Sequence, residues 1–214
     1  MATAFQPTAF QNTAFQADAV TPAKNWALAA NGGVATASSS NAGPPAAAYT
    51  PARANDGFRA GKNWGKNLTD AGWNDATSAV YPDWLQIDFA AEQTIGTINV
   101  ITLQDDVGNS WSGLQDPTLT TTFTKYGITA FDVQYWDGTA FVNVPGGSVT
   151  ENNKVWRQFI FSPITTTKIR VLVNAAMASF SRIVELEAWS PGTGWAGISR
   201  GRSLAGISRG RMLQ

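Results

Sequence analysis

The sequence predicts an all-β domain of the sandwich or jelly-roll kind, set between two repeat arms. Three observations lead there. Period-2 alternation of apolar and polar residues dominates the middle of the chain. Turn-forming pairs separate the alternating runs. No segment sustains a 3.6-residue period. The composition agrees: only 14% of the 214 residues are charged while Trp (9) and Gly (20) are frequent, which suits a sandwich with long polar loops better than a helical bundle.

The elements follow in chain order. Residues 1–20 form a front arm that reads TAFQP-TAFQN-TAFQA from Thr3 to Ala17. Repeats this short cannot each bury a core, so they are attachment sequences rather than folded units. Residues 21–190 hold the domain. Leu85, Ile87 and Phe89 alternate with Gln86 and Asp88; Phe131, Val133 and Tyr135 with Asp132 and Gln134. Ile169, Val171 and Val173 alternate with Arg170 and Leu172; Val184, Leu186 and Ala188 with Glu185 and Glu187. Each set turns one face to a core and one to solvent. Turns are expected at Asp56-Gly57, Asp137-Gly138, Gly146-Gly147 and Ser162-Pro163, the second closing a tight hairpin onto a short strand at 140–144. Two stretches, Phe58–Tyr81 and Gln104–Tyr126, are too long for plain connections and are expected to be functional loops. They carry Trp64, Trp73 and Trp111, each of which either folds back as an anchor or presents a stacking face. Residues 191–214 form a rear arm in which AGISRGR occurs twice, from Ala196 and from Ala205.

Composition excludes several chemistries. The chain has no Cys and no His, which removes thiol nucleophiles, imidazole bases, disulfides and thiolate or imidazole metal sites. The adjacent acids Asp105 and Asp106 point apart rather than flank one substrate. No enzymatic role is expected. The first residues lack a basic and an apolar region, so no secretion signal is expected, and no apolar run is long enough for membrane insertion. The domain carries 11 basic and 14 acidic side chains, and the last 24 residues carry Arg200, Arg202, Arg209 and Arg211 with no acid. Four arginines suit an acidic protein surface, and nucleic acid is not the expected partner.

The ordered motifs resemble a known family. Asn25-Trp26-Ala27 leads to ATASSS at 35–40, ARANDG at 52–57, GWND at 72–75 and PDWLQIDF at 82–89. TIGTINVITLQDD at 94–106, ITAFDVQYWDG at 128–138, WRQFIF at 156–161, KIRVLV at 168–173 and SRIVELEAW at 181–189 complete the set. Together they resemble the discoidin domain, the coagulation-factor type C module, in its bacterial carbohydrate-binding, galactose-binding-like form. The resemblance implies an eight-stranded jelly roll whose loops at one end bind sugars. On it, Trp73, Asn74, Asn109 and Trp111 fall at sugar-contacting positions. Asn74 and Leu103 stand where relatives often have His and Arg, so galactose specificity is not implied. The resemblance also implies one structural calcium ion, held by the Arg53 carbonyl, the Asp56 carboxylate, the Val184 carbonyl and the Glu185 carboxylate. The alternative is that Asp56 initiates a turn and Glu185 pairs with Arg53 or Arg182.

These readings converge on a non-enzymatic virion accessory protein of a bacteriophage, a capsid decoration or tail-fibre component made in the host cytoplasm. The repeats are similar, more loosely, to tails of phage structural proteins. Phe5, Phe10 and Phe15 would anchor the front arm on other virion proteins. Ile198, Ile207 and the four arginines would anchor the rear one, in several copies per particle. A host-surface glycan is the expected ligand. The alternatives are a structural cement protein without sugar binding and the targeting module of a carbohydrate-active enzyme.

Overall fold

The computed structural model describes residues 23–105 and 115–192. The anchors Phe5, Phe10, Phe15, Ile198, Arg200, Arg202, Ile207, Arg209 and Arg211 lie outside them, as do Asp106, Asn109 and Trp111. Among the described residues seven strands build the domain: β1 (Val34–Ala37), β2 (Trp73–Asn74), β3 (Asp83–Thr102), β4 (Ile128–Trp136), β5 (Phe141–Val149), β6 (Trp156–Ala176) and β7 (Arg182–Trp189). Three single 3-10 turns accompany them, and no α-helix occurs among the described residues.

All pairings are antiparallel, in the order β2-β7-β3-β6-β4-β5 with β1 added to β3. Two long strands serve both layers of the sandwich. The first half of β3 pairs with β1 and with the second half of β6, from Asp83↔Val173 to Asp88↔Lys168. Its second half pairs with β7 and with the first half of β6, from Thr97↔Ile160 to Ile101↔Trp156. Register shifts at Asp88/Gln93 and Ile95/Thr97 bend both strands between the layers. The alternating apolar residues meet in one core that includes Leu85, Ile87, Ile98, Val100, Phe131, Val133, Ile169, Val171 and Leu186.

Two expected turns are bulges instead. Ser162-Pro163 lies inside β6, opposite the shift at Gly96, where a proline's missing N–H is tolerated. Gly146-Gly147 lies inside β5, which runs to Val149 rather than stopping at 144. A Cβ on Gly147 would stand 2.6 Å from the Val133 carbonyl oxygen, so the bulge needs glycine. The Asp137-Gly138 hairpin forms as expected: the Asp137 carboxylate accepts from the Thr139 and Ala140 amides, both at 2.8 Å, and Gly138 takes φ +104°.

The stretch 58–81 is not a structureless loop. It contains β2, which adds to the edge of β7 through Trp73↔Ile183 and Asn74↔Arg182. This pairing turns the Trp73 ring into the core, where it is 0% exposed and its Nε1 donates to the Ser39 carbonyl at 2.8 Å. Asn74 is also buried and donates to the Asp75 carbonyl at 2.6 Å. Both expected sugar contacts are therefore corrected to structural roles. A ring enclosed on both faces has no surface on which a sugar could stack. Asp75 and Asp83 complete the clamp on this loop. Asp75 accepts from the Ser181 amide at 2.6 Å, and Asp83 from the Ser181 hydroxyl at 2.7 Å. Trp73→Ala is expected to lower the unfolding free energy by about 4 kcal/mol in urea titration, as large-to-small core substitutions do; an unchanged midpoint would show that the ring is not a core residue.

Candidate functional site

Three places gather side chains beyond what packing requires. The first is the loop end near Thr102, Ser181 and Ile128. The stretch from Gln104 to Tyr126 is fastened at its base by Asp105, which accepts from the Thr124 amide and hydroxyl at 2.6 and 2.8 Å and from the Lys125 amide at 2.9 Å. Asp105 is thus a loop clamp. Leu103, at the position where relatives place Arg, is buried with Ile101, Phe123, Val155 and Val184 beneath Trp64, Tyr126 and Trp156. Of the four expected sugar contacts, two are interior and two lie outside the described residues.

The second place is the contact between Asp56 and Glu185. Backbone bonding brings their segments together: the Leu186 amide donates to the Ala54 carbonyl at 2.8 Å. Asp56 accepts from the Phe58 amide at 3.2 Å, a side-chain turn, and from the Asp70 amide at 2.9 Å. Glu185 is fully buried; its Oε1 accepts from the Gly57 amide at 3.1 Å, while Oε2 is buried without a hydrogen-bond partner. The turn half of the alternative reading is therefore present, but the ion pair is not. Arg53 reaches Asn67 instead, and Arg182 donates to the Met177, Phe180 and Ala178 carbonyls. Burial first, and then the charges of Asp56 and Glu187, push the Glu185 carboxyl well above its ordinary value of 4.5. Burial also raises Asp56.

An orphaned carboxylate oxygen in a neighbourhood of like charge suits a hard cation. No cluster of three acidic side chains stands ready for a metal among the described residues. A cation here would draw on two carboxylates and on backbone oxygens, with the Arg53 and Val184 carbonyls belonging to the two segments that meet.

The third place was not foreseen. The outward residues of β6, β3 and β7 lie in register as a grid. Trp156, Ile101 and Glu185 form one row, Gln158, Asn99 and Glu187 the next, and Ile160, Thr97 and Trp189 the third. Arg59 reaches over this face from the loop. It grips Glu187 with Nε at 2.7 Å and Nη2 at 2.8 Å, and its guanidinium lies 4.5 Å from the Trp156 ring centre. Glu187 also accepts from Asn99 Nδ2 at 2.7 Å and from Trp189 Nε1 at 2.8 Å. Gln158 donates to Asn99 Oδ1 at 3.1 Å. Beside this network lies a hollow of about 330 Å³ lined by Arg59, Asn99, Trp156, Gln158 and Trp189, among others. Of these residues, the sequence pattern marked only Glu185 and Glu187 as facing away from the core, through the alternation at 184–188. It did not tell which strands lie side by side, and that neighbourhood makes them a group.

At the level of sequence, no family profile and no curated relative matches the chain. Solved structures do match. The family 32 carbohydrate-binding module of C. perfringens NanJ, determined with galactose, aligns at TM-score 0.53 and 16% identity over 78% of this chain and 99% of that one. A second chitosan-binding module from a chitosanase/glucanase of Paenibacillus sp. IK-5, determined with chitotriose, aligns at 0.53 and 18% over 77% and 98%. A fucose-binding module of Streptococcus pneumoniae aligns at 0.53 and 18% over 78% and 96%. The chain therefore has the discoidin-like, galactose-binding-like jelly-roll fold of the family 32 carbohydrate-binding modules.

Proposed function

We propose that this protein is a non-catalytic carbohydrate-binding accessory protein of a bacteriophage particle, displaying its sandwich to a host-surface glycan and held by its arms. The observation that carries the sugar-binding part is the fold. The described residues span nearly the whole length of single modules whose ligands are galactose, chitotriose and fucose. The chain's lack of His and Cys supports a binding role over a catalytic one. Since the sugars of these modules differ, the fold does not choose among them, and the buried Asn74 and Leu103 argue against a galactose-type set of contacts. A glycan array probed with the full chain is expected to return a defined group of neutral glycans; silence across the array would leave the cement-protein reading in its place.

One observation favours a second reading, the targeting module of a carbohydrate-active enzyme. The same fold matches about a quarter of the larger chain of a Ruminococcus gnavus GH29 fucosidase, 27% of it, at TM-score 0.53.

The virion part rests on the arms. The five-residue spacing of Phe5, Phe10 and Phe15 and the nine-residue offset of Ile198 and Ile207 suit docking on a repeating partner. The roots of the two arms are paired: the Ser190 amide donates to the Lys24 carbonyl and the Lys24 amide to the Ser190 hydroxyl, both at 2.9 Å. Deleting residues 1–20 or 193–214 is expected to leave the melting temperature within about 2 °C while abolishing incorporation into particles. A deletion that unfolds the sandwich would make the arm part of the domain.

Calcium at Asp56 and Glu185 completes the reading. The sign of its effect follows from Glu185. Below 4.5 the carboxyl is protonated in both the folded and unfolded chain and adds no pH dependence. Above that value the unfolded chain releases the proton while the fold retains it. Stability therefore falls as pH rises through the raised folded value. Metal-free protein is expected to melt at a lower temperature at pH 7 than at pH 5. In Glu185→Gln this difference should shrink, and the variant should melt above the metal-free parent at pH 7. Calcium is expected to raise the parent's melting temperature at pH 7 but not the variant's. A parent indifferent to calcium and chelator would refute the metal site.

A further inference from the structure

The outer face of β6, β3 and β7 covers the second buried cluster around Ile101 at one end, and beyond it gathers polar and aromatic side chains around a hollow. The main core lies on the other side of these strands, through Ile98, Val100, Phe159, Phe161, Leu186 and Ala188. We infer that this face is a glycan-binding platform, separate from the loop end, and that its ligand is a neutral oligosaccharide lying along the sheet. The inference rests on the carbohydrate-binding reading and names the site and the ligand class.

The chemistry of the grid carries the argument. Trp156 and Trp189 occupy opposite corners, on the strands flanking β3 and two rows apart. By strand geometry that is about 14 Å along the strands and two strand spacings across. Indoles offer apolar faces to the C–H side of pyranose rings; Trp189 is the candidate stacking face, while Trp156, capped by Arg59 and packed over the buried cluster, bounds the far corner. Between them lie the carboxamides of Asn99 and Gln158 and the Arg59 guanidinium, the donors and acceptors that hydroxyl pairs require.

Two further features select the ligand. Glu187 is only 2% exposed and takes four hydrogen bonds, two from Arg59 and one each from Asn99 and Trp189. Three of the platform's side chains are thereby set in place before any ligand arrives, which lowers the ordering cost of binding. The same fork neutralises Arg59, so the centre of the grid carries no uncompensated cation to attract uronic or sialic acids; the next cation, Arg157, lines the hollow beyond β6 and donates to the neutral Asn152. Second, the platform does not end at β6. Gln158, which is exposed, and Ile160, which is 59% exposed, also line a hollow of about 540 Å³ that continues past β6 towards Pro145, Ser148 and Thr150. An open track of this kind suits the interior of a chain; a pocket for one terminal residue would be closed.

The test uses the full chain and a set of neutral oligosaccharides of two to six units, scored by calorimetry and tryptophan fluorescence. The best-binding series is expected to gain affinity with length up to about four units. Trp189→Ala, Gln158→Ala and Trp156→Leu, the last keeping apolar bulk over the buried cluster, are each expected to weaken binding tenfold or more with the melting temperature preserved. Gln158→Ala removes an exposed side chain that donates to Asn99, so an unchanged melting temperature separates its loss of binding from misfolding. If binding is kept in all three and lost in Trp111→Ala, the site lies in the loops; the platform is refuted while glycan binding stands. If no oligosaccharide binds, both fail. If trypsin cuts at Arg200–Arg211 in the Trp variants but not in the parent, the face holds the chain's own arm, and the glycan platform is overturned.

Discussion

A single buried carboxylate organises the outward side of this sandwich. Glu187 sits in the middle strand-row of β7 with its acceptor capacity filled by Arg59, Asn99 and Trp189. Burying a charge is tolerable only when it is paired and fully hydrogen-bonded, and here both conditions are met. Removal of Arg59 would leave the carboxylate unpaired at a cost of about 3 kcal/mol, so the loop that supplies Arg59 is tied to the sheet by electrostatics as well as packing. Two residues earlier on the same strand, Glu185 has no such partner, and one of its oxygens is unbonded. The two glutamates share a face and a burial class but have opposite electrostatic circumstances. One is satisfied from within the chain, and the other keeps one carboxyl oxygen without a hydrogen-bond partner.

The loops divide in the same way. Asp70, Asp75, Asp83 and Asp105 each use their carboxylate to hold a backbone amide or hydroxyl of another segment. In a chain with no disulfide these side-chain clamps do much of the work of fixing long connections. They also explain why so many acids occur in a domain whose charged fraction is low. Most are structural acceptors, and few remain to define a surface potential.

Much of the fold was legible in the sequence because the inward residues of 85–89, 131–135 and 169–173 recur at every second position, which fixes the side of each strand that meets the core. At 184–188 the pattern was only partly right, since Glu185 and Glu187 are buried rather than turned to solvent and Val184 joins the second cluster. The hairpin at Asp137-Gly138 was legible for a similar reason, since its turn chemistry is specific. Gly146-Gly147 and Ser162-Pro163 were misjudged because glycine and proline punctuate both turns and bulges, and only the partner strand decides which. Trp73 was misjudged because GWND looks the same whether the strand adds to β7 with its ring inward or outward. The platform on β6, β3 and β7 was hidden for a deeper reason. Trp156, Asn99 and Glu187 are tens of residues apart, and their adjacency is a property of cross-strand register, which no local pattern encodes.

The pairing of Lys24 with Ser190, reinforced by the bridge between Asn25 and Trp189, has a mechanical meaning. Tension applied through the two ends of the domain enters and leaves at one spot. It is borne by the few contacts joining those two segments and does not run through the sheets. The long strands β3 and β6 are therefore spared shear when the two ends are pulled apart from each other.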